Sequence, residues 1–525
     1  MNPIILIMTL AGPTLLASVA LLARFSGGGP RIVLFASRIA TAVALLVALG
    51  SAAYTALAGP ATGHITGWGP FSLAIRLDAL SVTMLLLVAF IGAVVVQFSR
   101  NYVDGDPRQG WFTGRLCLTL GTVLILVLAG SLFQLVLAWI GTSVALHRLL
   151  LYYQDRPSAV LAARKKFICS RIGDAFLVLA AILLYAAFGT GDIAQMLKMA
   201  REMSESGEAP TSAVAAALSL VMAALFKSAQ FPVHGWLTEV METPTPVSAL
   251  LHAGIVNAGG FLMVRMADVL VICPPAMYLL IVAGGVTALV ATAVMLTQTS
   301  VKVALAWSTI AQMGFMLLQC GLGAFSAAAL HIVAHSVYKA HAFLSAGSAV
   351  DAAAALPATA PCRGPRPAVL AAAALIATLI FLACGALWGV SPREKPAIVA
   401  LGAVLIMGLT HLLARGLAGA NGDHFPARLL TGVTLLSMAY FGLQAGASWI
   451  LNGVVPAAVP LDTFGLAATA TIVLLFGGIS VAQLYAAHWL PRFPSVYVHL
   501  ANGLYANTLL NGLMRSPSFA ADARN

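Results

Sequence analysis

Charge is what this sequence has least of. Only 9% of its 525 residues are Asp, Glu, Lys or Arg, where a soluble chain carries roughly 25%. That scarcity excludes a soluble enzyme. Cysteine is sparse and scattered: Cys117, Cys169, Cys273, Cys320, Cys362 and Cys384 stand singly, with no CxxC pair. A disulfide framework and a cysteine metal cluster are excluded with it. No small-residue cleavage site follows the first apolar run, Pro3 to Leu22. That run reads as a first membrane helix, not a removable signal peptide.

What is present is apolar. Hydrophobic residues make up 60% of the chain, with mean hydropathy +0.95. At roughly 20 residues per crossing, these would supply about 15 spans and leave almost nothing for a soluble domain. The expected fold is an all-α polytopic membrane protein of about 15 transmembrane helices, within 13–16. Apolar runs place the spans near 3–23, 33–57, 79–98, 113–130, 132–151, 168–189, 212–229, 246–271, 276–297, 303–321, 325–350, 368–388, 397–418, 428–452 and 463–486. The last segment, Ser495 to Met514, is amphipathic and expected on the surface. Any nucleotide, zinc or redox domain belongs to a partner.

The formal charge of +11 reads as an orientation signal, not as a nucleic-acid footprint. Odd-numbered loops carry the arginines and lysines, among them Arg24, Arg31, Arg100, Arg108, Arg115, Arg363, Arg366, Arg415 and Arg428. The richest stretch holds Arg156, Arg164, Lys165, Lys166 and Arg171. The positive-inside rule puts the N-terminus outside and, with 15 spans, the C-terminus in the cytoplasm.

Ionisable residues within spans are costly, so they mark function first. Lys227 ends the run AAALSLVMAALFKSAQFP, and Pro232 just beyond it should break the helix,. A charge beside a helix break is a common ion-site architecture; the plain alternative is a lysine snorkelling to the interface. His252, in PTPVSALLHAGIVNAGG, is either a helix–helix hydrogen-bonding residue or a proton carrier. In ALHIVAHSVYKAHAFLSAG, His331, His335 and Lys339 recur every four residues on one helix face, with His341 nearby,. His331 and His335 have a zinc-ligand spacing, but no Glu lies between them and a Lys follows one turn on. A proton relay through Lys, His and ordered water fits better. Lys302, opening VKVALAWSTIAQMGF, is a path residue or an interfacial anchor. The glycines of 254–260 and 314–321 allow close helix approach.

These stretches together resemble the antiporter-type subunit family: subunits L, M and N of respiratory complex I and the Mrp cation/proton antiporters. The resemblance covers about residues 75 to 350, through IRLDALSVTMLLLVAFIG, KKFICSRIGDAFL, FKSAQFPVHGWLTEVMETPTPVSALLHAG, ALAWSTIAQMGFM and HIVAHSVYKAHAFLSAGS. It implies two inverted five-helix repeats, with 1–110 as N-terminal helices, 111–271 and 272–420 as the repeats, 421–490 as C-terminal helices and 491–525 as a cytoplasmic tail. It places Lys227, His252, His331, His335 and Lys339 on a central hydrophilic axis.

Two departures stand out. Where the complex I subunits carry Trp-Glu-Gly, whose glutamate partners the lysine, this chain has Trp139-Ile140-Gly141. Asp174, Glu239 or Glu242 would have to substitute. The Phe-Ser-Lys-Asp-Glu block of the twelfth helix is absent too, and Ala368 to Trp388 holds no charge.

LHRLLLYYQDRPSAVLAARKKFICSRIGD and VYVHLANGLYANTLLNGLM resemble the DabB family, the membrane subunits of two-component inorganic-carbon-accumulating complexes. That resemblance implies a bacterial inner-membrane subunit passing H⁺ or Na⁺ and energising CO₂ hydration to bicarbonate. The chemistry would sit in a cytoplasmic DabA-like partner with a carbonic-anhydrase-related zinc site; this chain itself is expected to hold no cofactor and to be no enzyme. Arg156, Arg164, Lys165 and Lys166 are candidate docking residues. The alternatives are an L-like subunit of NADH:quinone oxidoreductase, an Mrp-type antiporter, or a membrane anchor whose ion path has decayed.

Overall fold

In lipid every backbone N–H and C=O must find its partner within the protein, so a chain this apolar crosses as helices. The computed structural model describes residues 3–25, 30–207, 209–355, 364–390, 396–418, 425–457 and 461–514; Cys362 and Arg363 lie outside them. The chain opens with α1 (Pro3–Phe25) and α2 (Pro30–Ala58). Strands β1 (Ala61–Trp68) and β2 (Phe71–Leu77) follow, then α3 (Ala79–Tyr102), α4 (Gln109–Val127) and α5 (Leu132–Leu150). Next come α6 (Pro157–Phe188), α7 (Ile193–Ser206), α8 (Thr211–Lys227) and the short α9 (Gly235–Glu239). The pieces α10 (Thr245–Ala253), α11 (Ala258–Arg265) and α12 (Ala267–Val271) precede α13 (Pro274–Met295), α14 (Val301–Gly321) and α15 (Phe325–Leu344). The chain continues through α16 (Ala346–Ala355), α17 (Pro367–Leu387), α18 (Pro396–Ala418), α19 (Phe425–Ile450) and α20 (Thr463–Leu484). Three short helices close it: α21 (Ala486–Trp489), α22 (Pro494–Ala501) and α23 (Ala506–Met514).

The fold is helical and multi-pass, as the composition requires. Among the described residues, 13 spans are long and apolar enough to cross a membrane. Two of the spans read from the sequence are not among them. One is α8, only 17 residues long; the other is α15, which carries three histidines and Lys339. Helix α8 stops at Lys227, and those four residues make α15 polar.

Two features were not expected. Residues 61–77 form an antiparallel hairpin with Trp68 opposite Phe71, an exception to the all-α reading. It seats on the α4–α5 turn: Arg76 N–H donates to Leu128 O at 3.0 Å and Gly130 N–H to Ala74 O at 2.6 Å. The span read at 246–271 is also no single helix. It breaks at Gly254 (φ −124°, ψ −66°), runs through a tight turn Ile255–Asn257 and resumes as α11. The break expected near Lys227–Pro232 is there: α8 stops at Lys227, and residues 228–234 are irregular before α9.

The main apolar core runs from α1 to α15, whereas α17, α18 and α19 pack in smaller clusters of their own. Helices α13 and α14 meet through glycine. A Cβ on Gly314 would lie 2.6 Å from Gly284 O, and one on Gly321 2.7 Å from Ile281 N. This is the close approach read from the 314–321 glycines.

Candidate ion path

Helix α15 sets the row. His331, His335 and Lys339 share one face, and the two imidazole centroids are 6.0 Å apart. Helix α14 supplies the partners. His331 Nδ1 lies 2.9 Å from Gln319 Oε1, and Lys339 Nζ donates to Ser308 Oγ at 2.9 Å and Leu305 O at 3.1 Å. His335 and Lys339 are buried. His341, two residues beyond Lys339, turns away and is exposed, so it does not join the row.

His252 meets this row from α10. Its Nδ1 lies 3.0 Å from Thr309 Oγ1, and its ring stacks on Phe343 of α15 at 4.3 Å. His335 reaches the His252 backbone from α15. Lys302 stands at the start of α14, one turn before Leu305, and donates to Thr245 Oγ1 at 3.0 Å. It flanks the row at its edge.

Lys227 is buried at the end of α8, its Nζ donating to Trp139 O at 3.3 Å and lying 4.5 Å over the Trp139 ring. A backbone oxygen and an aromatic face thus stand beside Ile140, where a glutamate was looked for. Helix α6 crosses α8 at Gly173, where a Cβ would come within 3.2 Å of Phe226 Cβ and 4.0 Å of Lys227 N. That crossing brings Asp174 into electrostatic reach of Lys227, while Asp174 also pairs with Arg171 at 2.5 Å. The other two carboxylates are elsewhere. Glu239 pairs with Lys165 at 2.5 Å and accepts from Asn507 Nδ2 at 2.6 Å; Glu242 pairs with Arg156 at 3.5 Å.

The break in α10–α11 ties the two groups together. Ser228, next to Lys227, donates to Val256 O at 2.8 Å, and Asn257 Nδ2 donates to Ser336 Oγ, beside His335, at 2.8 Å. Irregular backbone at depth thus lines a polar thread from Lys227 to the histidine row. Pro232 is exposed in the 228–234 segment, with buried His234 ringed by Phe231 and Trp307 (centroids 5.4 and 4.7 Å). A crevice of about 400 Å³ opens beside His331 and His335, and its far wall is Tyr440 and Gln444 of α19. The charge-free α17 takes no part in that wall.

Two of the expected docking residues are not on the surface. Lys165 is 3% exposed and Lys166 2%, because both point into the α5–α6–α9 interior; Arg156 and Arg164 are exposed. A second network went unread. Asp78, the N-cap of α3, takes Arg265 Nη1 at 2.5 Å, Arg76 Nε at 2.7 Å and Ser81 N–H at 2.8 Å. Burial pushes its carboxyl up, yet Arg265 and Arg76 together hold it well below the usual carboxylate range. Its sequence signal was an Asp placed just before an apolar run, a capping position. Among the described residues no group of three or more His, Cys, Asp or Glu could hold a metal ion.

Broken helices around a buried Lys–His row define a multi-pass, antiporter-like membrane subunit. The family described as NADH:quinone oxidoreductase/Mrp antiporter, TM, matches residues 129–390, and that of the complex I chain 5 N-terminus matches 66–113. The Mrp complex of Dietzia sp. DQ12-45-1b shares the fold, with TM-score 0.67 at 24% identity over 98% of this chain and 59% of that one. In sequence, the probable inorganic carbon transporter subunit DabB2 of Halothiobacillus neapolitanus is 36% identical over 448 residues, 84% of this chain and 79% of that protein. DabB of Hydrogenovibrio crunogenus is 46% identical over 278 residues, 53% of each chain. NADH-quinone oxidoreductase subunit L of Escherichia coli is 35% identical over 285 residues, 54% of this chain and 46% of that one. The chain belongs to the DabB family of antiporter-type membrane subunits.

Proposed function

We propose that this chain is the cation-conducting membrane subunit of an inorganic-carbon accumulation complex, with H⁺ as its ion. The observation that carries the reading is the pair of side-chain bonds at the 254–257 break, Ser228 to Val256 O and Asn257 to Ser336, set between Lys227 and the group of His252, His335 and Lys339. Imidazoles and amines exchange protons, and low-dielectric surroundings make each transfer felt by its neighbours. Proton passage shifts charge along this row, and a cytoplasmic partner reads the shift, which keeps CO₂ hydration one-way. A gradient can drive such a change only by favouring one of two states. The partner of this reading is a DabA-like zinc protein, docked on the cytoplasmic face near exposed Arg156 and Arg164. The chain sits in the bacterial inner membrane with its N-terminus outside.

An L-like role in a quinone oxidoreductase is less well supported, because Ile140 replaces the expected glutamate and α17 carries no charge. The test is bicarbonate accumulation in cells expressing this chain with its partner. His335→Ala and Lys339→Ala are expected to reduce it to the level of cells lacking the chain. Accumulation like wild type in both would remove the row from the mechanism.

A further inference from the structure

Lys166 belongs to a basic stretch that reads as surface, yet its ammonium points inward. Its Nζ donates to Ser143 O at 2.8 Å and Ser143 Oγ at 3.1 Å. Among the described residues it makes no ion pair, and burying a lysine without one is costly, which marks the position for function,.

The neighbours show what that use is. On α5, Ile140, Ser143 and His147 fall on one face at helical spacing. His147 is half-buried near the end of α5 that leads into the basic loop, with its ring 4.8 Å from Phe167. Its Nδ1 has no hydrogen-bond partner among the described residues. Two turns along α6 from Lys166 lies Asp174, at the Gly173 crossing with α8. The charged groups that face Lys166 are Lys227 on α8, Asp174 and Arg171 on α6, and His147 on α5. Titratable groups therefore step inward from the loop end: His147, Lys166, Asp174, Lys227.

We propose that Lys166 is the cytoplasmic-end station of the ion path, accepting protons from Lys227 and passing them to the His147 side. This rests on the proton-conducting reading above. In the transfer an N–H bond of the Lys227 ammonium breaks and one forms on a neutral Lys166 amine, through Asp174 or ordered water. Lys166 then gives a proton to a neutral His147, an N–H bond breaking on the lysine as one forms on the imidazole. Two ammonium groups within reach in a low dielectric repel, so one proton shared between them is favoured to move on. The station is bonded to Ser143, one turn along α5 from Ile140, and puts a titratable group at a level where α5 carries only Ile140 and Ser143 on that face.

The experiment uses the full chain with its partner in right-side-out membrane vesicles, reading proton entry with an enclosed pH-sensitive dye after an external acid pulse. Lys166→Arg keeps the cation but stays charged at any working pH. It is expected to slow entry by roughly 10²-fold, the usual contribution of a positioned proton-transfer group. Lys166→His, which can exchange, is expected to recover part of the rate. Entry like wild type in Lys166→Arg overturns the proposal, since a structural cation would survive that change. Should Lys166→Arg not assemble, His147→Gln serves: slowed entry supports the station, and an unchanged rate overturns it. Lys339→Ala runs in parallel. If Lys339→Ala leaves conduction intact, the underlying reading fails; if it stops conduction while Lys166→Arg does not, only the station falls.

Discussion

Arg76 and Arg265 converge on one carboxylate, Asp78, which also caps α3 through Ser81. Removing that carboxylate leaves two buried guanidinium groups facing each other. Asp78→Asn is expected to destabilise the protein by about 3–5 kcal/mol, the cost of breaking a buried pair from one side. Thermal unfolding in detergent would measure it, and an unchanged midpoint would show that the triad contributes nothing. The pH dependence has a definite sign. Because the folded-state pKa is lowered, the contribution is full above the unfolded carboxylate value of about 4 and is lost as pH falls below it. The same side-chain logic explains what could be read beforehand. The His331–His335–Lys339 row was legible because a four-residue period fixes a helix face. His341 was not, since two further residues rotate a side chain about 200°. Lys166 was misread because its partner Ser143 is 23 residues away, and a run of basic residues carries no mark of which one turns inward.

Helix α14 holds both ends of the site. It accepts from Lys339, bonds His252 and His331, and packs on α13 through Gly314, Gly284 and Gly321. A side chain at Gly314 would press on Gly284 O and Ala288 N, which are backbone atoms that cannot step aside. Gly314→Leu is therefore expected to cost about 1–3 kcal/mol by overpacking. It should also lower conduction, by moving Ser308 and Thr309 away from Lys339 and His252. Detergent stability and dye-monitored proton entry, compared with Gly432→Leu, would check this; Gly432 has open space around it. Equal effects at the two glycines would sink the argument. The helices were legible from apolar run length and the first break from Pro232. The break at Gly254 was not, because no proline announces it and the surrounding residues are as apolar as any span. The 61–77 hairpin escaped for a similar reason: its residues sit between two spans, where run length carries no information.

The α6–α9 corner holds the clasp Lys165–Glu239–Asn507, which ties α23 to it, with exposed Arg156 at the start of α6 and exposed Arg164 along it. Such a surface suits a partner that must sense events near Lys227, because Glu239 closes α9, the short helix that follows the broken segment after α8. The ion that drives those events can be argued from the kinds of groups along the thread. Sodium needs several oxygens at close range and is repelled by lysine, whereas a proton needs only a basic nitrogen or a water chain. The row from Lys227 to Lys339 offers two amines and three imidazoles, with Asp174 as the carboxylate in reach of Lys227. Among the described residues, the backbone carbonyls at the 254–257 break and the Asp174 carboxylate are the features that would favour sodium,. Bicarbonate accumulation is accordingly expected to collapse when a protonophore dissipates the proton gradient, and to persist when K⁺ replaces Na⁺ in the medium. The reverse pattern would assign the thread to sodium, with the carbonyls of the break as its ligands and the lysines as gates rather than carriers.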